Sequence, residues 1–240
     1  MINLLAKINI FNENDYKEVI ETSLKMNRKI IFFYLNSQIV YETQKNAELK
    51  NHILNSDFLI ADGYSIVWAY KRLLKKSIIK VVFTYSYFKF MRDVFIANDV
   101  PIFFLGATQK NIERSVKIEN EFFPGLNIVG YHNGFFKVNE ESDLIIETIN
   151  NSKAKVLIVG MGCPLAETWI MGNKDKINSN LIFSVGGFFD FLAKDKIIAP
   201  NWMYNSGFEW VFRLIQEPKR LWKRYLISNI YWLYRLIKSS

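Results

Sequence analysis

Three groups of residues in this chain have types and spacing that could do chemistry. Asp62 directly follows the apolar run Phe58-Leu59-Ile60-Ala61 and precedes Gly63, so its carboxylate stands where a strand ends and the backbone can turn. It could take a proton as a general base, or it could cap a helix starting near Ser65. Gly186 and Gly187 follow a second apolar run, Leu181–Val185, and precede Asp190. A glycine pair lets backbone N–H groups approach a diphosphate, with Asp190 as an acceptor for a ribose or base; the other reading is a packing turn in which Asp190 caps a helix. The third group is basic and aromatic: Arg213, Lys219, Arg220, Lys223 and Arg224 interleave with Trp210, Phe212, Leu221, Trp222 and Tyr225. Such cations can neutralise a phosphate, and Trp among Lys and Arg suits a helix lying in a membrane interface. An anionic ligand and a lipid surface are expected together.

Other chemistries find little support. Gly160-Met161-Gly162 follows a strand-like run, but Pro164 interrupts the turn and no acid stands at the distance a dinucleotide fingerprint needs. His52 and His132 are far apart, Cys163 is the single cysteine, and no aspartates are spaced Asp-x-Asp, so no metal is expected. His132 and Glu167 have simple structural readings, as a loop histidine and a helix-face residue. No Ser or Cys sits in a nucleophile-elbow setting. A lone cysteine excludes an internal disulfide. The aromatic residues form no known nucleic-acid motif, and no nucleic-acid partner is expected.

The elements that must position these residues follow from the hydrophobic pattern. With 50% hydrophobic and 22% charged residues the 240-residue chain is globular and long enough to bury a real core. Continuous apolar runs at 29–34, 58–61, 100–105, 127–130, 155–159 and 181–185 read as buried strands. Helical patterns separate them at 38–55, 65–74, 109–122 and 140–150. This alternation predicts an α/β fold, a mostly parallel Rossmann-like sheet with helices on both faces. Ligands of such sheets bind at the carboxyl ends of the strands, which here carry Asn36, Asp62, Gly106, Gly160, Gly162, Gly186 and Gly187. Asn36 could orient a hydroxyl or cap a helix.

A boundary is expected near Pro200, giving a catalytic domain over 1–200 and a basic-aromatic helical appendage over 201–240, which Pro218 breaks into two helices. The formal net charge is +8, and residues 208–240 hold seven Lys or Arg against Glu209 and Glu217. Positive charge is concentrated at this end. The first residues have too short an apolar stretch for a secretory signal, and no apolar run approaches the ~18 residues of a spanning helix. A cytoplasmic protein, peripheral on the inner face of the membrane, is expected.

Several runs together resemble one family. Gly186-Gly187-x-Phe189-Asp190-Phe191-Leu192-Ala193, Ala199-Pro200-x-Trp202-Met203, Gly207-x-Glu209-Trp210-x-x-Arg213-Leu214 and Glu217-Pro218-x-Arg220-Leu221-Trp222-x-Arg224-Tyr225 are similar to the C-terminal signature of the WecG/TagA/CpsF glycosyltransferases, glycosyltransferase family 26. Leu35-Asn36, Ala61-Asp62-Gly63, Leu105-Gly106, Gly134-Phe135-Phe136 and Gly160-x-Gly162-x-Pro164 fall in the family's order.

The resemblance implies an inverting, metal-independent transferase moving a hexose or N-acetylhexosamine-type sugar from a UDP-sugar to a polyprenyl-diphosphate-linked saccharide in bacterial surface polysaccharide synthesis. It implies Asp62 as general base, assisted by Asn36. UDP would be held by Gly106, Gly186, Gly187, Asp190 and, in place of a metal, Arg213, Arg220, Lys223 and Arg224. The sugar and acceptor pocket would involve Tyr34, Thr84, His132, Ala166 and Glu167. Departures fall there: Tyr34 stands where the family usually has Thr, and Pro164-Leu165-Ala166-Glu167 replaces Pro-Lys-Gln-Glu. The usual Gly-Ser-Asp is missing near Lys80–Ser86. The donor sugar and self-association stay open. A nonenzymatic scaffold or nucleotide-binding subunit of the same machinery is the alternative reading.

Overall fold

Six short runs of Ile, Val, Leu and Phe, bounded by polar residues and glycines, form the strands of one sheet. They are β1 (Ile30–Leu35), β2 (Phe58–Ala61), β3 (Ile102–Gly106), β4 (Ile128–His132), β5 (Val156–Gly160) and β6 (Leu181–Ser184), in the order β2-β1-β6-β5-β3-β4. Every pairing is parallel. The computed structural model describes residues 1–76, 84–200, 202–203, 206, 208–219, 221–222 and 231, without the side chains of 84–87 and 89.

Helices cover both faces. One face carries α1 (Ile2–Ala6), α3 (Ser37–Lys45), α4 (Ala47–Leu54), α5 (Tyr64–Leu74), α8 (Val138–Asn151) and α9 (Leu165–Asn173), packed in one apolar cluster with Phe33, Leu105 and Leu157. The other face carries α2 (Glu13–Met26), α6 (Thr84–Ala97), α7 (Gln109–Phe122) and α10 (Phe188–Leu192), around Phe32, Phe104 and Phe183. Strands buried on both sides have no polar face, which is why they read as unbroken apolar runs. Toward the C-terminus lies α11 (Glu209–Gln216), which ends two residues before Pro218.

Connections decide where a crevice opens. β3 leaves toward β4 through α7 on the second face, while its neighbour β5 leaves toward β6 through α9 on the first. The chain therefore leaves their paired carboxyl ends toward opposite faces. The same divergence recurs between β1, which runs into α3 on the first face, and β6, which runs into α10 on the second. Such switch points are where open α/β sheets bind ligands.

Two local results differ from the sequence expectation. The single helix expected over 38–55 is two, because Asn46 takes an extended conformation and its side chain accepts from Leu49 N at 2.9 Å, capping α4. At the other end, α1 and α2 precede the first strand. Asn12 and Asp15 form a reciprocal capping box at the start of α2. Ile8 and Asn9 bond to Leu59 and cover the outer edge of β2, which would otherwise expose unpaired backbone groups.

One ion pair lies inside the second face. Arg92 of α6 meets Glu119 of α7 through Nε–Oε2 and Nη2–Oε1 contacts, both 2.8 Å. Its guanidinium lies 3.5 Å from the Phe123 ring centroid. Burial pushes the Glu119 carboxyl upward, and the neighbouring guanidinium opposes that shift. Removing one partner leaves an uncompensated buried charge. Arg92→Met should cost about 3–5 kcal/mol in urea unfolding, and the double variant Arg92→Met with Glu119→Leu should recover most of that loss.

Candidate active site

Asp62 is placed by strand pairing. The register sets Leu35 beside Ala61, so the next residues, Asn36 and Asp62, leave the sheet together. Asp62 N bonds Leu35 O at 2.8 Å, extending the pairing by one residue. Asn36 then works in two directions. Its Oδ1 accepts from Ile39 N at 3.1 Å and caps α3, while its Nδ2 donates to Asp62 Oδ2 at 3.3 Å. The cap of α5 falls to Gly63, with no side-chain hydrogen bond. Asp62 is therefore not the cap of this helix. Its half-buried carboxylate is oriented by an amide at the mouth of the sheet.

The start of α11 comes to the same corner. Glu209 lies near enough to Asp62 for their charges to interact, and it pairs with Arg213 one turn on, Oε1 to Nη2 at 2.5 Å. Burial pushes the Glu209 carboxyl up; Arg213 opposes this and the Asp62 charge adds to it. Arg213 Cζ stands 5.0 Å from the ring centroid of Phe191 in α10. Further contacts tie the helix down. Gln216 exchanges two hydrogen bonds with the Ile197 backbone, 3.1 and 3.0 Å, and Lys196 reaches Glu217 at 3.6 Å. Beyond α11, Tyr231 packs edge-on against Tyr41 of α3.

Between β3, β5 and β6 the rim is bare main chain. A Cβ on Gly106 would stand 2.5 Å from Gly160 O, and one on Gly160 would stand 2.6 Å from the buried Phe189 ring. These glycines let adjacent strand ends and α10 close on one another. Gly186 differs: its φ is +56°, which a side chain rarely tolerates, and a Cβ there would meet open space. The turn after β6 thus presents backbone to the crevice.

The model of the family described as "Glycosyl transferase WecG/TagA/CpsF family" matches residues 2–240. The chain belongs to this family. Among its relatives is an N-acetylglucosaminyldiphosphoundecaprenol N-acetyl-beta-D-mannosaminyltransferase of Bacillus spizizenii, 26% identical over 205 residues, 85% of this chain and 78% of that protein. A Staphylococcus aureus protein of the same name is 25% identical over 231 residues, 91% of this chain and 89% of its own length. A third, from Shigella boydii, is a UDP-Gal:alpha-D-GlcNAc-diphosphoundecaprenol beta-1,4-galactosyltransferase, 30% identical over 164 residues, 68% of this chain and 65% of that one.

Within this WecG/TagA/CpsF fold the remaining expected site residues whose side chains are described have partners of their own or are buried. Asp190 is engaged by Lys196 through Oδ2 and by Asn111 Nδ2 through Oδ1 at 3.0 Å, in a network that also reaches Asp195. Gly187 stands beside that network. Of the residues expected in the pocket, Tyr34 is 4% exposed on the second face and Ala166 is fully buried on the first. Glu167, also buried, accepts from Ser184 Oγ at 2.7 Å. His132 ends β4, its Nδ1 donating to Asn133 O at 2.8 Å. Thr84 opens α6, and its side chain lies outside the described residues, as do Arg220, Lys223 and Arg224. Two residues missed by sequence reasoning, Glu209 and Asn111, touch the expected ones. Asn111 is a helix residue with no local signal, whereas Glu209 stands in the Gly207-x-Glu209-Trp210 run, one turn before Arg213.

The double role of Asn36 has a measurable consequence. Asn36→Ala removes the α3 cap, and the loss should be about 1 kcal/mol in chemical unfolding. Asn36→Asp, which keeps an acceptor for Ile39 N, should retain most of that stability at low pH while losing the amide that orients Asp62.

Proposed function

We propose that this protein is an inverting glycosyltransferase that moves a hexose or N-acetylhexosamine-type sugar from a UDP-sugar to a polyprenyl-diphosphate-linked saccharide. The observation that carries this reading is the corner where Asn36 holds Asp62 and the Arg213-bearing helix α11 closes beside it. The three relatives all carry GlcNAc-diphosphoundecaprenol in their names, which supports a lipid-linked acceptor of that class. Their transferred sugars differ, and UDP is named for one of them.

In the proposed step an acceptor hydroxyl oxygen attacks the anomeric carbon from the face opposite UDP. The new C–O bond forms as the bond to the UDP oxygen breaks, the hydroxyl proton passes to Asp62, and the diphosphate leaves with the bonding pair. The backbone turn at Gly186 and the guanidinium of Arg213 would receive the diphosphate, with Arg220, Lys223 and Arg224 as further cations and no metal required. Lipid contact would come from the appendage, residues 201–240. Among the described residues no helix is long and apolar enough to cross a membrane. Ile197, Trp202, Phe208, Ile215 and Trp222 nevertheless expose large apolar side chains on this segment and just before it. Their interleaving with basic residues suits the inner face of an anionic membrane.

Asp62→Asn should lower kcat for UDP release by roughly 10²–10⁴-fold with UDP binding kept, as followed by coupled assay and calorimetry over a panel of UDP-sugars with a polyprenyl-linked acceptor. Unchanged transfer would refute Asp62 as the base, and absence of transfer by the parent protein with every UDP-sugar would favour a scaffold. For the membrane role, the triple variant Trp202→Ser, Ile215→Ser, Trp222→Ser should reduce co-sedimentation with anionic vesicles by at least about tenfold, since each buried apolar side chain contributes on the order of 1.5–3 kcal/mol.

A further inference from the structure

No residue of α11 is buried, so apolar packing alone gives this helix little hold on the sheet. Polar contacts at its far end add to that hold, and they converge on one ammonium group. Lys196 Nζ meets Asp190 Oδ2 on one side and stands 3.6 Å from Glu217 Oε2, just past the end of α11, on the other. The backbone places this lysine. Asp190 O accepts from Asp195 N at 3.0 Å and from Lys196 N at 3.1 Å, and Lys194 takes a φ of +54°, so the chain turns back over the end of α10 and returns the Lys196 side chain to Asp190. Asp190 is held from a third direction as well. Asn111, in the first turn of α7, donates to Asp190 Oδ1 at 3.0 Å and to Asp195 Oδ2 at 3.2 Å. The residue after Lys196 repeats the link through its main chain: Ile197 and Gln216 exchange hydrogen bonds of 3.1 and 3.0 Å, so residues 196–197 grip residues 216–217. All of this lies beside the turn after β6. A Cβ on Gly187 would stand 3.6 Å from Asp190 Oδ2 and 3.9 Å from Lys196 Nζ. The side chains of Lys196, Asp190 and Glu217 are 17%, 21% and 28% exposed, so salt screens them less than an open surface pair.

We infer that Lys196 is a positioning residue: as the common partner of Asp190 and Glu217, it couples the Gly186–Gly187 turn to the seating of α11, the helix whose Arg213 lies against Phe191 of α10. Its effect on turnover rests on the proposed function, whereas the coupling rests on the contacts alone. Such coupling is reciprocal. Whatever steadies Asp190 and the turn steadies α11, and whatever lifts α11 takes Glu217 away from Lys196. The appendage thus docks on the network that flanks the proposed diphosphate site.

The test uses the full chain. Hydrogen–deuterium exchange read by mass spectrometry follows the amides of α11 in the parent protein and in Lys196→Met, which keeps most of the side chain's length and removes its charge. Exchange there should quicken at least about threefold, the loss expected of a partly buried ion pair, while the amides of β3 and β5 keep their parent rates. Lys196→Arg should restore most of the protection. Unchanged exchange in α11 would overturn the inference. A double-mutant cycle with Glu217→Gln separates this pair from whatever else either residue touches. The double variant should exchange in α11 no faster than the faster single variant, and effects that multiply would overturn the link. In kinetics, Lys196→Met and Glu217→Gln should lower kcat/KM for the UDP-sugar by similar factors, although only Lys196 adjoins the turn. A loss confined to Lys196→Met would make Lys196 a plain contact at the turn and overturn the coupling. Absence of transfer by the parent protein with every UDP-sugar would refute the proposed function instead, and the exchange cycle would still decide on Lys196. Should Lys196→Met fail to fold, Glu217→Gln carries the exchange test from the other side of the pair.

Discussion

Everything at the candidate site depends on the parallel register between β1 and β2. Because Leu35 pairs with Ala61, the chain delivers an amide and a carboxylate to the same point from segments 26 residues apart. A slip of one residue would send the Asn36 and Asp62 side chains to opposite sides of the sheet. The register is held by burial on both faces: every residue of β1 is buried, and a slip would strand large apolar side chains. Asn9 adds a bond on the outer edge of β2. The core therefore does more than stabilise. It aims the Asn36–Asp62 corner.

Much of the framework was legible in the sequence, and for one reason. Strands buried on both faces must be apolar without interruption, so all six stood out within a few residues of their true limits. The carboxyl-end residues Asn36, Asp62, Gly106 and Gly186 followed at once. Elements whose signal is amphipathic or aromatic were harder. The capping box Asn12-x-x-Asp15 was present to be read at α2, whereas the Tyr- and Phe-rich start of α6 has a composition that strands also favour.

What could not be read is tertiary. The Asp62 charge acts on the Glu209 carboxyl across most of the chain's length, and Asn111 meets Asp190 over 79 residues. Nothing local in a helix says which distant acid or amide its polar face will find. The burial of Ala166 and Tyr34 was hidden for a related reason. Order along a motif gives position near a site, but which way a side chain points depends on the helix or strand that carries it.

The rim formed by Gly106, Gly160 and Gly186 has a consequence for how such a crevice can change. Its floor is backbone, with no room for a side chain at Gly106, where the end of β5 closes in, or at Gly160, where the Phe189 ring does. Substitution cannot reshape such a floor without moving whole strands. Differences in what the crevice accepts must be written on its walls, in the loop after β4 that carries Asn133, in the turn after β5, and in α11. Those walls are replaceable parts around a fixed base, and one sheet can be refitted for another sugar without being refolded.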